Sequence, residues 1–265
     1  MPSRIETAIE AALAVASRQG LRVADAVAVG TGSNVIVHLR PAPVVARVMS
    51  GTQVLHADPR VWLQRELDVV RHLRACGAPV VAPTELCDAG PFEHAGVWLS
   101  LWEFEPVVER PVTGEEIGRC LRALHDALVT YRGPLEPRAA VWEEIAWLLA
   151  RVGDRGLERE ARRLRPLTAS IDDRAQPLHG DASVFNLLTT GRGLRWNDFE
   201  DVCVGAVEWD LAGVESSARL RYGDAVAAEV RSGYGREVDD DVLAVILAVQ
   251  ELYATAWQRY LATVR

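Results

Sequence analysis

The sequence predicts an α+β fold of two lobes, a small one built on an antiparallel sheet and a larger one that is mostly helical. Three observations predict it. Apolar, β-branched runs bounded by Gly and Pro fall at 23–29, 35–39, 44–49 and 97–101, all before residue 102. One helical pattern, 62–74, interrupts them, and beyond Pro106 helical periodicity takes over. With 265 residues, 49% of them hydrophobic, the chain can bury a substantial core.

Taken in order, the first two runs flank Gly30-Thr31-Gly32-Ser33-Asn34, which reads as a hairpin tip. A dinucleotide-binding fingerprint would need a helix after this loop and a third Gly where Val35 stands, and no Walker loop is present. The strand at 44–49, Val-Val-Ala-Arg-Val-Met, has Arg47 as its only basic side chain. In the helix at 62–74, Trp62, Leu67, Val70 and Leu73 make an apolar stripe, and Glu66 stands four residues from both Trp62 and Val70. A lone buried carboxylate is costly, so Arg47 is its expected partner; otherwise Glu66 sits at the stripe edge and reaches solvent. Residues 97–101 read as a buried strand and Pro106 ends regular pairing, which sets an N-terminal lobe at 1–101, a connection at 102–106 and a helical lobe at 107–265.

Within the second lobe Thr113 and Glu116 form a capping box ahead of Leu121, Leu124 and Leu128. Further helices are expected at 143–151, 157–167 and 238–264, the last carrying Leu243, Ile246, Leu247, Leu252, Trp257 and Leu261. His125, on the first of these helices, reads as structural.

The chemistry is concentrated in His179-Gly180-Asp181-Ala182-Ser183-Val184-Phe185-Asn186 and in Asp198-Phe199-Glu200. Between them Phe185, Leu187, Leu188, a Gly-rich turn at 189–193, Leu194 and Trp196 read as a hairpin, with Asn186 and Asp198 near its open ends. Magnesium takes one or two carboxylates plus substrate phosphates, and Asp181, Asn186 and Asp198 are hard oxygen donors of that kind. Phosphoryl transfer needs a carboxylate to orient the incoming hydroxyl, metal ligands, and cations on the phosphates. Asp181 is the candidate base and Asp198 the main metal ligand, with Asn186 beside it. Singly, each of these residues could be a turn former, since Asp and Asn favour turns for their own reasons.

These motifs resemble those of the aminoglycoside phosphotransferase and choline kinase superfamily, small-molecule kinases whose catalytic loop is His-Gly-Asp, four residues and Asn, and whose metal segment begins Asp-Phe-Glu or similar. Val207-Glu208-Trp209-Asp210-Leu211-Ala212 matches the Asp-Leu-Ala segment that follows in many members. The resemblance implies a protein-kinase-like fold, ATP as co-substrate and Mg2+ as cofactor. It implies that Asp210, together with His179, braces the catalytic loop; that Thr31, Gly32 and Ser33 cover the phosphates; and that adenine meets the backbone near Trp102 and Phe104. The family normally places a Lys on the third strand, paired with a helical Glu. All 29 basic residues of this chain are Arg, so Arg47 stands there, with Glu66 as its partner. Arg binds phosphate through a rigid fork rather than a point charge.

Two other readings are weighed. A metal-dependent phosphohydrolase would use the His179-x-Asp181 spacing, but it needs further His ligands, and His38, His56, His72, His94 and His125 show no fitting motif. A catalytically inactive nucleotide-binding protein would explain the missing Lys but has no need of Asp181. The net charge of −8 argues against a nucleic-acid partner and is compatible with a cationic acceptor such as an aminoglycoside or amino-sugar, with Glu143, Glu144 or Glu251 in its pocket. Cys76, Cys87, Cys120 and Cys203 are scattered, and neither a signal peptide nor a membrane span is evident. The expectation is a soluble, cytoplasmic monomer or weak homodimer acting on a small-molecule hydroxyl.

Overall fold

The computed structural model describes residues 3–32, 34–50, 58–169, 171 and 175–263. Ser33 and His56, both named above, lie outside the described residues. The fold is α+β, as expected, with one antiparallel sheet of five strands and a largely helical remainder. The chain divides into two compact units, Met1–Glu109 with Thr189–Glu200, and Arg110–Leu188 with Asp201–Arg265.

The first unit is built on β1 (Asp25–Thr31), β2 (Asn34–Arg40), β3 (Val44–Met49), β4 (Phe92–His94) and β5 (Val97–Glu103), in the order β1-β2-β3-β5-β4. Alternation along a strand sends successive side chains to opposite faces. Val35, Val37 and Leu39 of β2, Val44, Ala46 and Val48 of β3, and Leu99 and Leu101 of β5 share one face and are fully buried. That face is covered by α1 (Arg4–Arg18), a helix with no counterpart in the sequence reading; its small residues Ala8, Ala11, Ala12 and Ala16 let it approach closely. A capping box of Ser3 and Glu6 starts α1, a device contributing about 1 kcal/mol.

Arg47 and Val45 point from the opposite face, Arg47 paired in register with Ile36 on β2 and Ser100 on β5. Helix α2 (Pro59–Ala75) is capped by Asp58 and buries Leu63, Glu66, Leu67, Val69, Val70 and Leu73. The expected stripe is corrected at one end. Trp62 is only half-buried, because its ring carries the Arg65 guanidinium at 4.4 Å, and Leu63 takes its place in the core. Strand β5 runs through Trp102 to Glu103, and the hairpin tip is shorter than read, since Gly30 and Thr31 are still in β1.

The second unit contains α3 (Gly114–Leu128), α4 (Val141–Val152), α5 (Arg155–Thr168), α6 (Glu208–Tyr222), α7 (Asp224–Tyr234) and α8 (Asp240–Thr263), with β6 (Gln176–Leu178) paired to β9 (Cys203–Gly205). The Thr113 and Glu116 capping box forms. Helices α3 and α7 pack backbone against backbone: a Cβ at Gly118 would lie 2.0 Å from the Val230 carbonyl oxygen, so only glycine allows this contact. In α8, Leu243, Ile246, Val249, Leu252 and Ala256 form the buried face, whereas Leu261 is exposed. The hairpin β7 (Leu187–Thr190) and β8 (Gly193–Trp196) follows Asn186 directly and leads to Asp198. No helix among the described residues is long and apolar enough to cross a membrane.

Candidate active site

In the first unit the expected pair forms. Both Glu66 carboxylate oxygens lie 2.5 Å from Arg47 Nη1, with Glu66 only 1% exposed. The guanidinium reaches further than a pair. Its Nη2 donates to Asp198 Oδ1 at 2.5 Å and to Glu200 Oε2 at 2.7 Å, and with the Asn34 amide turned to present its oxygen, Asn34 accepts from Nη2 at 2.9 Å and Nε at 3.2 Å. One guanidinium thus holds three carboxylates, which only its planar fork could do.

Burial pushes the Glu66 carboxyl up to about 7; Arg47 and the Phe199 N–H pull it down, while Asp198 and Glu200 add to the rise. Asp198 itself stands at φ +66°, a left-handed conformation that Asp tolerates better than most residues and that concentrates at functional sites. Three carboxylates thus share one buried guanidinium. Asp198 is the most exposed carboxylate of the three, its side chain 24% exposed, and among the described residues no group of three or more His, Cys, Asp or Glu side chains is arranged to hold a metal ion.

The remaining first-unit residues are placed as follows. Thr31 ends β1 and Gly32 lies in the bend beyond it. Trp102 is buried and its Nε1 donates to Ser100 Oγ at 2.8 Å. The Phe104 N–H donates to the Pro43 carbonyl at 2.9 Å and that of Glu103 to Ala82 at 2.9 Å, so neither amide is an open donor. The Phe104 ring stacks on His38, centroids 3.7 Å apart.

In the second unit, the loop carrying Asp181 is fixed from within and from α6. Asp181 is exposed, and the Asn186 amide nitrogen donates to its Oδ2 at 2.9 Å and to its carbonyl at 3.0 Å, so the oxygen is the atom Asn186 can offer a cation. Gly180 has φ +87°, and a Cβ there would fall 1.9 Å from the Asp201 carbonyl oxygen, which explains Gly in the motif. Asp210, fully buried, accepts from the N–H groups of His179 (2.8 Å) and Gly180 (3.0 Å) and from His125 Nε2 (2.9 Å), whose Nδ1 meets the Tyr234 hydroxyl at 2.8 Å. Burial would raise the Asp210 pKa, but the His125 hydrogen bond and charge, His179 and its main-chain N–H outweigh burial and hold the pKa below the ordinary value.

One ridge of α6 tracks the loop. Trp209 Nε1 donates to the Gly180 carbonyl at 2.8 Å; Gly213 leaves room for the Ala182 carbonyl, which a Cβ would meet at 2.5 Å; Ser217 Oγ accepts from Val184 N–H at 3.0 Å; and Arg221 donates to the Val184 carbonyl at 3.1 Å. Residues 209, 213, 217 and 221 are spaced by four, one face of a helix. The sequence reading used only Asp210 from this helix. It also left out His125, Glu200 and Asn34. The four-residue spacing was the available signal for α6, and Glu200 was visible only as part of a motif. A cavity of about 460 Å3 opens beside Asp181, lined among others by Asp201, Trp209, Gln250 and Tyr253. Glu143 and Glu251 are exposed and do not line it; Glu144 approaches it by accepting from the Tyr253 hydroxyl at 2.6 Å.

Comparison with known proteins gives the same picture. No curated protein matches in sequence. Among solved structures, an amicoumacin kinase, hAmiN, in complex with AMP-PNP, Ca2+ and Ami superposes with a TM-score of 0.70 at 14% identity, covering 88% of this chain and 80% of its own. The choline kinase LicA from Streptococcus pneumoniae gives 0.70 at 17% identity, covering 98% and 92%. An aminoglycoside phosphotransferase from Streptomyces rimosus in complex with ADP and streptomycin gives 0.62 at 16% identity, covering 91% and 97%. At these identities the likeness establishes the fold. The sequence model of the phosphotransferase enzyme family matches residues 30–246, and the chain belongs to that family.

Proposed function

We propose that this phosphotransferase moves the γ-phosphate of ATP to a hydroxyl of a small molecule, such as an aminoglycoside or amino-sugar, with Mg2+ as cofactor and Asp181 as the base. The observation that carries this reading is an exposed carboxylate, Asp181, on a loop whose backbone is fixed at Gly180 and Val184 and braced through Asp210. Positioning is most of what phosphoryl transfer asks of a protein. Asp181 would orient the acceptor hydroxyl and receive its proton. Asn186 and Asp198 would hold the metal, whose charge offsets that developing on the transferred phosphoryl group. Arg47, held by Glu66, would serve the phosphates together with Thr31, Gly32 and Ser33. Trp102 and Phe104 would border the adenine, through main-chain groups other than the Phe104 N–H. A neighbour of the same fold bound to AMP-PNP and Ca2+ supports nucleotide and divalent-cation use. The four free thiols accord with a cytoplasmic protein, taken here as a monomer or weak homodimer.

Calorimetric titration of ATP, with and without Mg2+, into wild type and Asp198→Ala tests the nucleotide half. Magnesium-dependent binding that the variant lacks is expected; no binding to wild type would mean either that the acceptor must bind first or that Arg47 fails to replace the usual Lys. Asp181→Asn tests the base. It should keep ATP affinity and lose turnover by about 100-fold or more, and normal turnover would sink the assignment.

A further inference from the structure

Large apolar side chains stand in solvent at the rim of the cavity beside Asp181. Leu220 is 79% exposed, more than any other large apolar residue among the described ones, and Phe185 is 56% exposed, the only one of the four Phe to be so. Both line that cavity, together with Asp181, Trp209 and Tyr253. A single exposed Leu or Phe needs no explanation, but two on one rim, beside the candidate base, form a patch. Their backbones are well held. Ser183 caps the short turn Val184–Asn186 by accepting from the Phe185 N–H at 3.2 Å. Arg221 donates to the Val184 carbonyl at 3.1 Å, and its guanidinium lies over the Phe185 ring, 5.7 Å from the centroid. Leu220 belongs to α6, where Gly213, Ser216, Ser217 and Leu220, spaced as i, i+3, i+4 and i+7, turn one helical face to the cavity.

The charges of the same wall offer little to a polycation. Asp181 and Asp201 are its two lining carboxylates among the described residues, and Arg138 lines it with them. Burial would lower the Arg138 pKa, but Cys203, Asp201, Glu144 and Tyr253 outweigh burial and raise it. Asp201 and Glu144 are thus engaged with a cation of the wall itself, and Glu144 also accepts from the Tyr253 hydroxyl at 2.6 Å. Asp181 is the carboxylate assigned to the acceptor hydroxyl. One carboxylate that takes a hydroxyl proton cannot also hold a row of ammonium groups.

We propose that the acceptor is amphipathic: the hydroxyl phosphorylated at Asp181 belongs to a molecule whose alkyl or aryl group packs on Phe185 and Leu220, in preference to a polycation. The inference rests on the phosphotransferase reading and on Asp181 as base, and it adds Phe185 and Leu220 as residues that select the acceptor. Covering them removes apolar surface from water on both partners, and each buried methylene of the acceptor is worth about a three- to fourfold gain in affinity. In the transfer, the hydroxyl proton passes to Asp181, the acceptor oxygen bonds the γ-phosphorus, and the bond from that phosphorus to the bridging oxygen breaks with its electrons leaving on ADP.

The test is transfer from labelled ATP to n-alkyl β-glucosides from methyl to hexyl, with phenyl β-glucoside as the aryl member and kanamycin as the polycation. In wild type kcat/KM should rise about three- to fourfold per methylene over the first few members, mainly through KM. Leu220→Ser and Phe185→Ala should each flatten that slope. The slope is a ratio within one protein, so a general loss of activity or of folded material in a variant does not mimic the effect. A flat series in wild type, a slope unchanged in both variants, or a kcat/KM for kanamycin above that of the best glucoside would each overturn the proposal. So would ATP and Mg2+ bound normally with no glucoside phosphorylated. Light scattering of wild type and Leu220→Asp checks the rim itself: a wild-type dimer that the variant breaks would mean that a second copy covers it, which also overturns the proposal. Failure of wild type to bind ATP, with these acceptors present as well as without them, would instead count against the phosphotransferase reading.

Discussion

Glu66 and Asp210 are buried to the same degree, one in each unit, and their surroundings drive them in opposite directions. Glu66 faces one guanidinium that it shares with two other carboxylates, and its proton affinity rises. Asp210 faces two main-chain N–H groups and His125, with no competing carboxylate in contact among the described residues, and its proton affinity falls. Burial opposes ionisation in both. What differs is whether donors are dedicated or shared. The Asp210 cluster holds a loop in one shape. The Arg47 cluster divides one guanidinium among several carboxylates.

The largest effect should come from cutting the brace. Asp210→Ala leaves two buried N–H groups and a buried imidazole unmet and should cost about 3–5 kcal/mol. Glu66→Ala should cost less, about 1–2 kcal/mol, because Arg47 keeps Asp198 and Glu200. Urea denaturation of both variants checks the order. Equal costs would mean that the remaining carboxylates do not compensate.

The two clusters were unequally legible in the sequence. Glu66 announced itself, because a Glu on the apolar side of α2 demands a cation and β3 offered only Arg47. Asp181, Asn186 and Asp198 stood out by residue type and spacing, and the roles proposed for them rest on that chemistry. The α6 ridge was hidden because its bonds to Gly180 and Val184 and its close approach to Ala182 are tertiary, and Gly213, Ser217 and Arg221 individually look like ordinary helix surface. His125 reads on its helix as a structural residue, which is correct in kind; that it holds Asp210 depends on α3 and α6 meeting. Glu200 was missed because the usual Lys has one ammonium to share, and only a guanidinium has a second arm to occupy it. Trp62 misled the stripe assignment because a large aromatic ring serves as well under an Arg as in a core.

The same contrast predicts pH slopes of opposite sign in the protein free of nucleotide and metal. The pKa of Glu66 is raised from 4.5 to about 7, so its contribution is complete below pH 4.5 and is lost as pH rises through 7, on the order of 3 kcal/mol across that window. Asp210 is depressed below 3.8, so its contribution is present above that pH and is lost only as pH falls through the lower folded value. Glu66→Gln should therefore flatten the stability profile between pH 4.5 and 7, and Asp210→Asn should alter it only below pH 4. A Glu66→Gln profile parallel to wild type would show that Arg47 keeps Glu66 ionised throughout, which would make the two clusters alike.

The smallest effect isolates the second arm of the fork. Glu200→Gln should cost about 1 kcal/mol when Arg47 is present, because its bond to Nη2 at 2.7 Å is charge-assisted and the side chain is only 14% exposed. In an Arg47→Lys background the same change should cost almost nothing, since an ammonium engaged by Glu66 has no rigid second group to offer. The double-mutant cycle should then give a coupling of about 1 kcal/mol between positions 47 and 200. A coupling near zero would mean that Glu200 is held without the guanidinium, leaving Arg47 tied to Glu66 and Asp198 alone, as a Lys could be. A clear coupling would instead make Glu200 a residue that an Arg at position 47 requires, so that a Lys introduced there would not by itself restore the usual arrangement.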